Sequence, residues 1–169
     1  MGSETAHTLL ALSRPSPGWP ARSAAVAACG STRRPACIAQ LRAALRQRAP
    51  GDNCASWGVA LWAAAAKGLD EHVEALLRAG VPPDAGLPGQ LQHGTPLVAA
   101  CSTRSLGCAQ QLLRAGADPN ACGGQPLLRA ATGGDALLVK LLLDSGAARW
   151  ALPLVRAVRL GHASVVALF

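Results

Sequence analysis

The feature that most constrains the fold of this chain is a pattern that recurs four times between residues 58 and 169. The copies start at Val59, Thr95, Gln125 and Leu152, and each has a leucine at offset +2 and small or apolar residues at +5 and +6. Three of them also have a glycine at offset +21, shortly after a Leu-Leu pair. Successive starts are 36, 30 and 27 residues apart. Such periods are typical of stacked helical units, which bury their apolar faces against one another.

Each copy is predicted to form two short helices joined by a tight turn. In the second copy Thr95 can cap a helix with its hydroxyl group, and Pro96 suits the first helical position. Gly116 follows the second apolar run, where a chain that leaves a helix often needs a positive φ. The turn residue at offset +9 is glycine in three copies, but Arg104 occupies it in the second. We therefore expect a distorted turn at Arg104.

Short motifs within the copies identify the kind of repeat. They are Thr95-Pro96-Leu97, Gly161-His162, Val165-Val166, Leu141-Leu142-Leu143 and Gly116-Ala117-Asp118-Pro119-Asn120. The pattern resembles the ankyrin repeat of about 33 residues. The histidine that this family has after Pro-Leu is replaced at offset +3 by Trp62, Val98, Leu128 and Val155. The resemblance covers residues 58–169 and implies an all-α ankyrin-repeat solenoid of about three complete units and one truncated unit.

The sequence divides into three parts. Residues 1–35 have no helical or alternating period, and we expect a flexible basic segment rich in Pro, Ser and Arg. Residues 36–57 contain an amphipathic helix and a linker, and this helix is either a degenerate first unit or a cap on the stack. The repeats then occupy residues 58–93, 94–123 and 124–150, with an incomplete unit at 151–169.

The polar residues do not indicate catalysis. The four histidines have no Ser, Cys or Asp at a spacing that predicts a catalytic pair, and the six cysteines form no Cys-x-x-Cys motif. We therefore predict no enzyme activity, no cofactor, no metal and no small-molecule substrate. Unpaired cysteines fit a reduced compartment, so we expect a cytoplasmic or nuclear protein. No apolar run approaches the 18 residues of a membrane-spanning helix.

Binding is better indicated, because the offset within a unit predicts exposure. Offsets +4, +7 and +8 should line a concave groove, and four basic residues fall there: Arg129, Arg156, Arg159 and Lys67. Arg129 and Arg156 share an offset in adjacent units, which places them roughly 10 Å apart. We predict that an acidic segment of another protein lies along this groove. The alternative is that the arginines only keep an Ala/Leu-rich surface soluble. The long loop at residues 81–94 is a second candidate for recognition.

Two finer resemblances suggest a more specific function for the repeats. Residues 67–80 and 101–120 are similar to the ankyrin-repeat and SOCS-box family, which implies the substrate-recognition part of a ubiquitin ligase adaptor. The sequence has no SOCS box, so the resemblance does not imply the recruiting part. Residues 61–80 and the length of the chain also resemble small ankyrin-type kinase inhibitors, so an inhibitor or a scaffold is the alternative. Nucleic-acid binding by the basic leader is a weaker alternative, because aromatic platforms are missing.

The last residues are apolar where a repeat should have its core. Val165, Val166, Leu168 and Phe169 occupy core offsets, and no further repeat follows them in the sequence. We therefore expect an exposed apolar end formed by these four residues. Its expected consequences are poor solubility, self-association or a longer natural product.

Overall fold

The computed structural model describes residues 35–46, 54–85, 94–148 and 151–169. The regular elements in these ranges are helices: α1 (Pro35–Arg46), α2 (Cys54–Ala66), α3 (Asp70–Arg78), α4 (Pro96–Ser102), α5 (Leu106–Arg114), α6 (Ala121–Gly133), α7 (Ala136–Asp144), α8 (Ala151–Leu160) and α9 (Ala163–Val166). The flexible segment was predicted at residues 1–35, and residues 1–34 of it lie outside the described residues, as do residues 86–93 of the loop predicted at 81–94.

The helices form two parallel rows. The first helices of the units, α2, α4, α6 and α8, contact one another in that order, and the second helices α3, α5, α7 and α9 do the same. Each first helix also packs against the second helix of its own unit. The predicted all-α repeat solenoid is therefore confirmed. Helix α1 contacts α3 and so lies at the start of the second row, and α2 begins at Cys54, before the predicted start of the repeats at residue 58.

The repeated leucines and alanines form one continuous core. Leu61, Leu97 and Leu127 at offset +2 are at most 1% exposed, and the leucines at offset +17, which are Leu76, Leu112 and Leu142, are fully buried. Alanines at offset +5 are also fully buried within these helices. A methyl group at these positions lets the helix axes approach closely, which explains why so few aromatic residues are needed.

A hydrogen bond at the start of α4 confirms the predicted cap at Thr95. Thr95 Oγ1 accepts a hydrogen bond from the Val98 amide at 3.4 Å, with Pro96 in the first turn. Asp135 caps α7 in the same way, because its carboxylate accepts from the Leu138 amide at 3.1 Å. Each such cap satisfies an amide that has no carbonyl partner within its helix, and a cap of this kind stabilises by about 1 kcal/mol.

The turns between paired helices are alike in all four units. The residue at offset +9 has φ of +64°, +56°, +73° and +74° along the chain, and the second of these residues is Arg104. In every unit this residue's amide donates to the carbonyl at +6 and the next amide donates to the carbonyl at +5, with N···O distances of 3.0–3.3 Å. The expected distortion at Arg104 is therefore wrong. The two hydrogen bonds require a left-handed residue here, and Arg104 adopts that conformation despite its side chain.

Two polar side chains, Asn120 and Asp84, tie the loops between neighbouring units together. The Asn120 carboxamide donates to the Gly146 carbonyl at 3.1 Å and accepts from the Ala148 amide at 2.9 Å. One unit earlier, the Asp84 carboxylate accepts from the Asp118 amide at 3.2 Å. These bonds fix the spacing of neighbouring units on the loop side of the stack.

The apolar end of the last unit differs from the prediction. Val165 is fully buried and Val166, Leu168 and Phe169 are half-buried, because α9 packs against both α7 and α8. The expectation of an apolar end formed by these residues is therefore wrong. The exposed large apolar side chains of this unit belong to α8 instead, and they are Leu152, Val155, Val158 and Leu160.

Candidate protein-binding groove

A pocket of about 250 Å³ lies across the first helices of three successive units. We call it the groove pocket, and it is lined by Trp62, Ala66, Val98, Ala99, Ser102, Thr103 and Arg129. Five of these residues occupy offsets +4, +7 or +8, which the repeat pattern predicted to face a groove. The pocket combines apolar walls with one guanidinium-bearing side chain, a composition suited to binding a peptide segment.

The aromatic wall of the groove pocket was not predicted. Trp62 and Val98 share offset +3, where the sequence showed only a departure from the family's histidine. Trp62 lies one helical turn before Ala66, so the two side chains share one face of α2. That spacing was the available signal, because it places offset +3 beside the predicted groove offset +7. Tryptophan and arginine are the residue types most enriched among side chains that dominate binding energy.

The hydroxyl groups near the groove pocket bond to the backbone. Ser102 Oγ donates to the Val98 carbonyl at 2.9 Å, and Thr132 Oγ1 donates to the Leu128 carbonyl at 2.7 Å. Thr103 Oγ1 lies 3.2 Å from the Ala99 carbonyl and 3.1 Å from Ser105 Oγ. A hydroxyl that donates to a helix carbonyl has no base to activate it, so these contacts do not describe a nucleophile.

The four predicted binding residues lie at different places in the stack. Arg129 lines the groove pocket, whereas Lys67 lines a separate pocket of about 400 Å³ with Asp70, Thr103, Arg104 and Ser105. Arg156 and Arg159 are exposed on α8, which packs against the helix that carries Arg129. The structure thus places Arg129, Arg156 and Arg159 along the last two first helices, and Lys67 at the turn of the first unit.

The two described histidines occupy structural positions. The ring of His162 places Nε2 3.2 Å from the Thr132 carbonyl, which joins the last unit to the unit before it. His72 is buried in α3, and its Nε2 has no hydrogen-bond partner among the described residues. Burial lowers the pKa of His72 below its usual value, although nearby Glu71 opposes the shift. The described residues contain no cluster of three His, Cys, Asp or Glu side chains that could hold a metal.

Two of the cysteines are buried as predicted, and their thiols are held in the neutral form. Burial raises the pKa of the Cys101 thiol to about 12, with a further contribution from Asp135. Burial also raises the pKa of Cys108, and its Sγ donates to Asp70 Oδ1 at 3.0 Å, which favours the protonated thiol. A nucleophilic cysteine needs a lowered pKa, so neither thiol is an activated nucleophile.

These features define a class of protein, a stack of helix pairs that presents a groove on one side. A family model described as ankyrin repeats in three copies matches residues 61–150. The chain therefore belongs to the ankyrin-repeat family. Ankyrin repeats are interaction domains, and the chain is a protein–protein interaction module.

Two further findings concern the relatives of the chain and the length of its helices. A search of curated protein sequences found no match to this chain. Among the helices of the described ranges, none has the length and apolar content needed to cross a membrane.

Proposed function

We propose that the groove pocket binds an acidic segment of another protein, and that the chain works by this binding rather than by catalysis. The observation that carries the proposal is the presence of Trp62 and Arg129 in one pocket, although they belong to units two positions apart. An apolar side chain of the partner packs against Trp62, which is half-buried at the wall of the pocket. A carboxylate next to it reaches Arg129, whose guanidinium matches carboxylate geometry.

The charge on the neighbouring helix supports an extended acidic segment. Arg156 occupies the same offset as Arg129 on the next first helix, and Arg159 lies one helical turn further along α8. Both side chains are exposed, and residues 151–169 contain no Asp or Glu that would compete for them. An acidic segment that leaves the groove pocket toward the last unit therefore meets two more cations. This arrangement raises the association rate and selects against basic partners.

The test is to capture partners with the full chain and then to repeat the capture with variants of the groove. A double variant of the second helices, with the same change in charge as the double variant of the groove, serves as the control. Trp62→Ala should weaken capture at least ten-fold, and the Arg129→Glu and Arg156→Glu double variant should do the same. The control is the Arg114→Glu and Lys140→Glu double variant, because both residues are exposed on second helices. Unchanged capture by the groove variants, or equal losses in the control, would show that the groove is not the binding surface.

The biological setting that we propose is substrate recognition of the kind found in the ankyrin-repeat and SOCS-box family. Its support is the similarity of residues 67–80 and 101–120 to that family, together with the proposed groove. The alternative is a small ankyrin-type kinase inhibitor, and an in vitro assay against a cyclin-dependent kinase separates the two. We propose a cytoplasmic or nuclear location on the basis of the free thiols of Cys101, Cys108 and Cys122, and fractionation of cells that express the full chain tests it.

A further inference from the structure

The turn of the second unit holds an arginine where the other three units have glycine. Arg104 has φ of +56°, and the equivalent residues have φ of +64° to +74°, these being Gly68, Gly134 and Gly161. A residue with a side chain is strained in this left-handed conformation, whereas glycine is not. Strain of this kind is concentrated at binding and catalytic sites. The conformation therefore points to a role for the side chain of Arg104, since its backbone does only what glycine does elsewhere.

The aliphatic part of Arg104 lies beside the next unit, close to the groove pocket. A methyl group added to Gly133 would lie 3.5 Å from both Cγ and Cδ of Arg104. Gly133 follows Arg129 by four residues on α6, so the two positions share one face of that helix. Thr103, which directly precedes Arg104, lines the groove pocket together with Arg129. Arg104 therefore lies at the border of the groove pocket, on the side of the turns.

The charge of Arg104 is not neutralised by the stack. Its side chain is exposed and forms no hydrogen bond or ion pair with any residue that the structure describes. The units before and after each have an aspartate just after the equivalent turn, and both carboxylates have other partners. Asp70 Oδ1 accepts from Cys108 Sγ at 3.0 Å. Asp135 Oδ1 accepts from the Leu138 amide at 3.1 Å. Arg104 thus presents a positive charge beside the groove.

We propose that Arg104 is a further recognition residue of the groove, which binds a second carboxylate of the partner's acidic segment beside the one that Arg129 binds. This inference rests on the proposed function of the groove pocket. A guanidinium group matches a carboxylate in shape and charge, and two of them along one groove favour a segment with two acidic residues. A segment with a single acidic residue leaves one arginine without a contact, so Arg104 adds selectivity to the site.

Peptides selected by the groove itself provide the probe. A random peptide library displayed on phage is selected on the full chain, and the peptides kept are those that fail to bind the Trp62→Ala variant. Fluorescence anisotropy then gives the dissociation constant of each labelled peptide. Arg104→Gly gives the turn the residue of the other units, and Arg104→Gln keeps much of the aliphatic part beside Gly133 but removes the charge. Arg114→Ala is the matched control, because Arg114 is an exposed arginine at the far end of α5.

Both Arg104 variants should raise the dissociation constant about three- to five-fold, the range for a contact between exposed charges, while Arg114→Ala should leave it unchanged. Glutamine in place of one acidic residue of the peptide should cause the same loss with the full chain. It should cause no further loss with Arg104→Gln, because the two changes remove the same contact. Thermal unfolding should show that Arg104→Gly is at least as stable as the parent, so weaker binding does not reflect a damaged fold.

The outcomes separate this inference from the proposed function. Unchanged binding of the selected peptides to Arg104→Gly and Arg104→Gln would overturn the inference and leave the proposed function intact. Weaker binding to Arg104→Gly alone would assign Arg104 to packing against Gly133 and would also overturn it. Equal losses in the Arg114→Ala control would assign the effect to net charge, with the same consequence. A selection that yields no peptide dependent on Trp62 would overturn both the inference and the proposed function.

Discussion

The inner units and the last unit differ in how deeply they bury side chains at the same offsets. In the inner units, offset +6 carries a small side chain that a neighbouring helix covers completely. In the last unit, the same offset carries Val158, which is 58% exposed. The difference shows that an offset in a repeat determines which way a side chain points, while the neighbouring unit determines whether it is buried.

The two regions also differ in how they could meet a partner. The inner units provide a pocket between helices, with Trp62 and Arg129 at its sides. The last unit provides an open helix surface on which apolar side chains and arginines are interleaved. We expect recognition in the pocket to depend on its shape and on these two side chains.

The largest expected difference between the two regions is in the cost of truncating a core side chain. Leu112 and Phe169 share offset +17, but Leu112 is fully buried and Phe169 is only half-buried. Leu112→Ala should lower the free energy of unfolding by about 3 kcal/mol, and Phe169→Ala by about 1 kcal/mol. Urea unfolding followed by circular dichroism measures both values. Equal losses would mean that the last unit is packed as firmly as the inner ones.

A pair of glycines tests the contact between the last unit and the unit before it. Gly134 and Gly146 both have positive φ, but a methyl group on Gly134 would lie 2.8 Å from the His162 ring. A methyl group on Gly146 meets nothing within 4 Å. Gly146→Ala should therefore cost about 1 kcal/mol from backbone strain alone, and Gly134→Ala about 2–3 kcal/mol. A smaller loss for Gly134→Ala than for Gly146→Ala would argue against the position of His162.

Burial of His72 should make the stability of the folded chain depend on pH. The folded state lowers the pKa of His72, so the unfolded state binds more protons between that lowered pKa and the usual value of about 6.5. The contribution of His72 is therefore fully present above pH 6.5 and is lost as the pH falls. Unfolding midpoints at pH 7 and pH 5 measure this loss, which His72→Leu should reduce.

The smallest effect, and the only stabilising one, is expected at the turn of the second unit. Arg104 has φ of +56° where the equivalent positions are glycine. Arg104→Gly should raise the free energy of unfolding by about 0.5–1 kcal/mol, because glycine adopts this conformation without steric strain. Thermal unfolding of the variant provides the measurement. A destabilised variant would show that contacts of the Arg104 side chain outweigh the strain.

Much of the fold could be predicted from the sequence, because each unit repeats the same local chemistry. The cap at Thr95, the positive φ at Gly116 and the burial of Leu112 all follow from offsets that recur along the chain. The turn at Arg104 was mispredicted, because two hydrogen bonds within the turn hold this position in the left-handed conformation whatever its side chain. The sequence pattern showed the missing glycine but not the hydrogen bonds that replace its preference.

The candidate site was less predictable than the fold. The offsets identified Arg129 and the small residues of the groove pocket, but Trp62 appeared only as a deviation from the family's histidine. The exposed apolar surface was assigned to Val165 and its neighbours, although α7 covers that side and α8 is the exposed helix. In each case the missing information was which neighbouring helix lies against a given face.

Hydrogen–deuterium exchange of the full chain, with and without a captured partner, tests most directly whether the groove is the binding surface. Partner binding should slow exchange in the first helices α2, α4 and α6, which line the groove pocket, and leave the second helices α3, α5 and α7 unchanged. Slowed exchange confined to the second helices, with the first helices unaffected, would contradict the account.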